Sequence, residues 1–190
     1  MARSRITPER EAELYGAVLD LLREVGYDAL TMDAVATRTR SSKATLYRQW
    51  GSKPELVVRA LRSDKPVSFE EIDTGSLRGD LHALVDAMDD GRLEKDSALM
   101  RGLAQAVHGN PDLHQAMREL LIAPELTGLD AMLQRAVDRG EVREGHPALK
   151  YVVHMTVGAV VAPLLIEDIP PNRAFLSDYV DAVILPALGI

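Results

Sequence analysis

Leu30-Thr31-Met32-Asp33-Ala34-Val35-Ala36, then Ser42-Lys43-Ala44-Thr45-Leu46-Tyr47-Arg48-Gln49-Trp50, then Ser52-Lys53-Pro54-Glu55-Leu56 is the stretch that decides the fold. Thr31 can cap a short helix carrying Val35 and Ala36, and Ser42 a second that contains Leu46 and Trp50. Gly51 breaks that helix. Ser52 to Glu55 then reads as a capping box, with proline inside the first turn of a helix that turns Leu56, Val57, Ala60 and Leu61 inward. Two short helices joined by a tight turn are what a helix-turn-helix needs, one against the DNA backbone and one entering the major groove. On the second, Leu46 and Trp50 face inward, while Thr45, Arg48 and Gln49 share another face. Arginine pairs with guanine edges, glutamine with adenine, and Ala44 or the Thr45 methyl can meet a thymine methyl. Lys43, Tyr47 and Lys53 suit phosphates, which set register without reading sequence. The same spacing also fits an ordinary amphipathic helix with a wet polar face.

Helix signals continue in both directions. Upstream, Thr7-Pro8 caps a helix whose Leu14, Val18, Leu21, Leu22 and Val25 keep a helical period until Gly26. Downstream, Lys65-Pro66 through Gly75 reads as a linker between a domain at 1–65 and a second at 66–190. After it come apolar stripes at Leu77–Met88 and Leu99–Val107. A long run from Pro111 to Gly140 follows, which Pro124 is expected to kink or break. Two more helices start near Pro147 and near Asn172 to Ala174. No strand-like alternation of useful length occurs, so the chain is predicted to be all-α.

The composition agrees: 190 residues, 46% apolar, 27% charged and only 4% aromatic. The net charge of −7 argues against a nucleic-acid partner until it is divided along the chain. Residues 1–65 hold 12 basic against 9 acidic side chains, the remainder 10 against 20. Arg38, Arg40, Lys43, Arg48 and Lys53 follow one another with no acidic residue between them. Such a patch suits phosphates, or is simply a solvated charged face. The absence of cysteine excludes disulfides, thiolate zinc sites and thiol nucleophiles. There is no Gly-rich phosphate loop, HExxH or GxSxG motif, so no catalytic residue or cofactor is expected. His108 and His114 have no metal-ligand spacing, and Asp89-Asp90 with Glu94 and Asp96 reads as a solvated turn. The N-terminus lacks the apolar stretch of a secretory signal, and a cytoplasmic protein is expected.

The opening stretch resembles the DNA-binding domain of the TetR family of bacterial repressors, over roughly residues 7–62. The resemblance implies an all-helical homodimer with an N-terminal three-helix reading head and a larger C-terminal domain that binds a small molecule and releases DNA. It places Thr31 and Tyr47 at phosphates, Lys53 at a phosphate from the fourth helix, and Lys43, Ala44, Thr45, Arg48 and Gln49 at the groove. The family usually has glycine and then an apolar residue in the turn, where this chain has Arg40 and Ser41. A non-glycine residue in a left-handed turn costs about 1 kcal/mol, so a strained or reshaped turn that still binds DNA is expected. Arg40 is a candidate for an added phosphate contact.

The longest uncharged run, Tyr151 to Ile166, has 16 residues and is too short for a comfortable membrane span. A helix apolar on nearly every side must be covered on nearly every side. Val153, Val157, Val160, Val161 and Leu164, with Phe175, Tyr179 and Val183 of the last helix, are therefore the candidate dimer interface, in line with the family. The alternative is that both helices are intramolecular core. Met88, Met100, Met117 and Met155, with Leu84, Leu103, Leu121 and Tyr151, are candidates to line an apolar ligand pocket, with His154 as its polar handle. Plain core methionines and a satisfied core histidine are the competing reading. The function expected is that of a DNA-binding transcription regulator, and the resemblance implies a repressor released from its operator by a small, largely apolar ligand; the competing class is a helical ligand-binding or enzymatic domain whose N-terminal unit no longer reads DNA.

Overall fold

The computed structural model describes residues 6–65 and 68–190, with the side chains of Arg92, Ser97, Ala98 and Met100 outside that description. Among the described residues no strand occurs. The chain forms two compact units: Ala98–Ala123 packs with the residues up to Lys65, and Pro124–Ile190 packs with Pro66–Ser97. Packing thus divides the chain elsewhere than the linker does.

The first unit begins with α1 (Pro8–Ala29), whose backbone leaves helical geometry at Gly26, φ 75°. This is where glycine was expected to stop the helix. Then come α2 (Met32–Arg38), α3 (Lys43–Trp50) and α4 (Lys53–Ser63). Side-chain oxygens of Thr7, Thr31, Ser42 and Ser52 each accept a backbone N–H at the start of their helices. Leu14, Val18, Leu22, Val35, Leu46, Trp50, Leu56 and Val57 form the core, and Leu99, Leu103, Ala106, Leu113 and Ala116 complete it. The last five come from α6 (Asp90–Gly109) and α7 (Pro111–Met117). Trp50 Nε1 donates to the Tyr15 hydroxyl at 2.9 Å, and that hydroxyl donates to Glu11 at 3.1 Å, so the indole is buried without an unmet polar group.

Tyr27 is the contrary case. It is 3% exposed and its hydroxyl has no hydrogen-bond partner. Burial, helped by the charges of Asp112 and Asp28, pushes its pKa up to about 12. The folded state therefore keeps this proton to higher pH than the unfolded chain, so stability is intact below about pH 10 and falls as pH rises through the folded pKa. Tyr27→Phe is expected to be neutral or stabilising at pH 7 and to reduce the alkaline loss, read from urea midpoints at pH 7 and pH 11. A clear loss at pH 7 would count against an unpaired hydroxyl.

The second unit holds α5 (Leu77–Asp86), α8 (Ala123–Asp138), α9 (Val152–Ile166), α10 (Arg173–Tyr179) and α11 (Leu185–Leu188) around Leu77, Leu81, Met132, Ala136, Val152, Ile184 and Leu185. Asp80, fully buried, accepts the Thr74 backbone N–H at 2.6 Å and its hydroxyl at 2.7 Å, which ties the preceding loop to α5. The linker contributes one short 3-10 turn, Phe69–Glu71; its Pro66 and Val67 lie outside the described residues. The helix expected near Pro147 starts a few residues later, with a 3-10 turn at Leu149–Tyr151.

Pro124 does not break its run. A π-turn, Arg118–Ile122, precedes it and the helix continues as α8. The Leu120 carbonyl, denied an α-helical N–H by the proline four residues on, accepts Arg62 Nη1 at 3.4 Å. A second π-turn, Val180–Ile184, stands in the same relation to Pro186. Widening the turn before a proline relieves the clash of its ring with the preceding turn, which is why neither run is interrupted.

Candidate DNA-binding site

The turn between α2 and α3 sets the geometry of the head. Arg40 N–H donates to the Thr37 carbonyl at 3.3 Å and Ser41 N–H to Ala36 at 2.9 Å, with Arg40 at φ 50°. That is a Schellman ending with arginine where glycine is favoured. Of the two alternatives expected, the strained turn is the one present: it keeps the backbone of a glycine ending and is not reshaped. Thr39, buried, gives its hydroxyl to the Val35 carbonyl at 2.8 Å, while its own carbonyl accepts the Arg10 guanidinium from α1. Ser41 fills the usual apolar position with a hydroxyl that donates to the Thr39 carbonyl at 3.4 Å. The left-handed region costs an L-residue about 1–2 kcal/mol, partly offset because glycine loses more freedom on folding. Arg40→Gly is thus expected to stabilise the protein by about 0.5–1 kcal/mol, seen as a higher urea midpoint at unchanged slope. A lower midpoint would mean that the arginine makes a stabilising contact.

The core holds α3 by Leu46 and Trp50, 0% and 2% exposed. Ala44, Tyr47, Arg48 and Gln49 are left on its exposed faces, and Thr45 is half-buried with its hydroxyl 2.8 Å from that of the Ser42 cap. Thr31 is exposed and caps α2 by accepting the Ala34 N–H at 3.1 Å.

The basic stretch is less free than its sequence suggests. Arg38 pairs with Glu24 of α1 at 2.7 Å. Lys43 pairs with Asp33 of α2 at 2.9 Å. Lys53 donates to the carbonyls of Tyr27 and Leu30 at 2.9 and 3.0 Å, and its ammonium stands 4.2 Å from the centre of the Tyr27 ring. Burial lowers the Lys53 pKa, with Asp28 acting the other way. Among the described residues only Arg40 and Arg48 of the five make no intramolecular ion pair or side-chain hydrogen bond. The sequence reading missed Arg10, Glu24 and Asp33. Their partners lie 29, 14 and 10 residues away, beyond any helical periodicity.

Two family models match the chain: bacterial regulatory proteins of the tetR family over residues 15–60, and the Tetracyclin repressor-like C-terminal domain over residues 71–183. The chain belongs to the TetR family. An uncharacterised HTH-type transcriptional regulator of Mycobacterium tuberculosis is 35% identical, with 94% of this chain and 88% of the relative covered. The DNA-binding transcriptional repressor TetR of Mycobacteroides abscessus is also 35% identical, over 93% and 92%. The crystal structure of the TetR-family transcription regulator SCO0332 superposes with a TM-score of 0.70 at 30% identity, covering 94% of this chain and 98% of that one. As a TetR-family protein the chain is a helix-turn-helix DNA-binding transcription regulator and not an enzyme.

The other candidate residues of this TetR-family chain are redistributed by the fold. Leu103 is core of the first unit, with Met117 and Leu121 packed on it, whereas Leu84, Met88 and Met155 pack on the core of the second. The Met100 side chain lies outside the described residues. His154 and Tyr151 are exposed, not buried as the apolar run suggested, so neither is a core residue or an enclosed handle. The reason is that only one side of α9 is covered, through Val152, Ala159, Pro163 and Leu164. Leu164 is thereby removed from the candidate interface, being 5% exposed, and Val153 and Val160 pack partly on the core. Val157 and Phe175 are exposed at 55% and 40%, and Val161, Tyr179 and Val183 are half-buried. Leu165, Ile166 and Ile169, which sequence reasoning left out, are more exposed still. With its preceding turn, Leu149–Ile166 is long and apolar enough to cross a membrane by composition, and 22% of it is buried.

Proposed function

We propose that this regulator is a cytoplasmic, homodimeric repressor that blocks a promoter until a small, largely apolar molecule binds its C-terminal domain. The observation that carries the reading is α3: two core residues fix it while Ala44, Arg48 and Gln49 stand exposed, with Arg48 uncommitted inside the protein. In this reading Arg48 and Gln49 read base edges, Ala44 and Thr45 contribute methyl contacts, and Thr31, Arg40, Lys43, Tyr47 and Lys53 stand at phosphates. The repressor assignment follows the M. abscessus relative, a DNA-binding transcriptional repressor.

The dimer forms through the uncovered face of α9, with Val157, Val161 and Leu165, together with Phe175 of α10. A contiguous apolar face of this kind marks a protein partner on a chain whose relatives are regulators, and a two-fold pairing of α9 and α10 makes a four-helix bundle that brings two heads to one operator. Effector control draws on the packing of the first unit. α7 and its π-turn rest on α4, which rests on α1, so a ligand that displaces Met117 or Leu121 acts directly on the element beneath the reading helix. The two methionine groups offer two places for such a ligand, and the one beside α4 couples to DNA with fewest intermediaries.

Selecting bound duplexes from a random pool tests the reading. A two-fold-symmetric operator is expected, bound well above the salt-driven background. Small apolar compounds that raise the melting temperature are then titrated with and without operator, since linkage requires ligand and DNA to weaken each other by the same factor. Recovery of no preferred sequence would overturn it.

A further inference from the structure

Between Asp28 and Glu55 the chain carries a single acidic residue, Asp33. It lies in the first turn of α2, and its exposed carboxylate reaches Lys43 Nζ, at the start of α3, at 2.9 Å. Both side chains are open to solvent, 73% and 49% exposed, and an ion pair of that kind adds little to stability. Its consequence lies elsewhere. The pair stands where α2 and α3 begin, on the head that meets the DNA phosphates, and it neutralises the first basic residue of the reading helix.

We infer that Asp33 determines specificity by holding Lys43 out of non-specific contacts with DNA. The inference rests on the reading of α3 given above. A duplex of arbitrary sequence attracts the head through phosphate charge alone, and each lysine that joins releases counterions. A lysine bound to a neighbouring carboxylate contributes nothing to that term, and the carboxylate repels nearby phosphates. At the operator Arg48 and Gln49 fix the register, so Lys43 finds a guanine edge or an aligned phosphate and leaves Asp33. The penalty then falls more heavily on wrong sequences than on the right one, which is how a repulsive element creates discrimination. Lys43 is held in its charged state by the same hydrogen bond, and its pKa is raised by Asp33. No other acidic side chain is paired with Lys43 among the described residues.

The test uses the full-length protein, a mixed-sequence duplex and an operator selected by the wild type, titrated across salt concentrations. Asp33→Asn is expected to bind the mixed duplex about 3–10-fold more tightly, with a log–log salt slope steeper by about 0.9, one added phosphate contact. Operator affinity should rise by less, so the ratio of the two falls at least threefold. In a Lys43→Gln background the Asp33→Asn gain should shrink below twofold. Asp33→Ser serves as a second variant, and matched melting temperatures confirm the fold. An Asp33 variant with unchanged non-specific affinity and slope, or one that strengthens both duplexes equally, overturns the inference even while Lys43→Gln weakens binding. Should neither Lys43→Gln nor Arg48→Ala change binding to any duplex, the reading of α3 itself has failed.

Discussion

Val157→Asp is expected to yield a folded monomer that no longer holds its operator. Val157 is 55% exposed in the single chain, so an aspartate there meets water and leaves the fold intact. In a dimer paired through α9 the same carboxylate is buried, and once more by the two-fold axis, at a cost of several kcal/mol on each side. A monomer engages one half-site and forfeits the effective concentration of the second head, a loss of about 10²-fold or more. Sedimentation should show the monomer at micromolar concentration, with an unchanged helical signal by circular dichroism. The control is Val160→Asp, half-buried and packed on the core of its own unit, which should lower the melting temperature as well. A Val157→Asp protein that stays dimeric would show that the uncovered face serves something else.

The contrast between Val157 and Val160 also marks where the sequence stops being informative. The helices of the head were legible because their ends are local chemistry. Thr7, Thr31, Ser42 and Ser52 cap them, Gly51 stops one and Gly26 kinks another, with each signal within four residues of its effect. The inward positions of α3 followed from a spacing of four. In α9 no such asymmetry exists, since nearly every side chain is apolar, so the covered face cannot be told from the open one. His154 and Leu164 were accordingly exchanged: the histidine is exposed and the leucine buried. Pro124 reads as a break because propensity alone says so. That Arg62 reaches the freed Leu120 carbonyl depends on a partner 58 residues away. The basic stretch misled in the same way, since charge can be counted from sequence but commitment cannot. Arg38 and Lys43 are paired by carboxylates on other helices.

Lys53 and Arg48 should separate on that ground. Lys53→Met is expected to destabilise the protein by about 2–4 kcal/mol, because the carbonyls of Tyr27 and Leu30 lose a charged donor and the Tyr27 ring loses its cation. Those carbonyls close the C-terminal turn of α1 against the start of α4, so the loss loosens the joint between two helices of the head. DNA binding then weakens on every sequence alike, through a less ordered head as well as through any lost phosphate contact. Arg48→Ala removes no ion pair or hydrogen bond within the protein and should leave the melting temperature unchanged. Its cost appears only on the operator, about 1–3 kcal/mol, with one base position relaxed, if the guanidinium pairs with guanine. Thermal melting and binding to operator mutants, measured on both variants, distinguish the two roles. A Lys53→Met protein of wild-type stability and a flatter salt slope would show that Lys53 acts at the phosphates alone. An Arg48→Ala protein weakened equally on all duplexes would make Arg48 a phosphate contact instead of a reader. In the expected outcome, the residue that looks most like a phosphate anchor in the sequence is also the clasp that holds the head together.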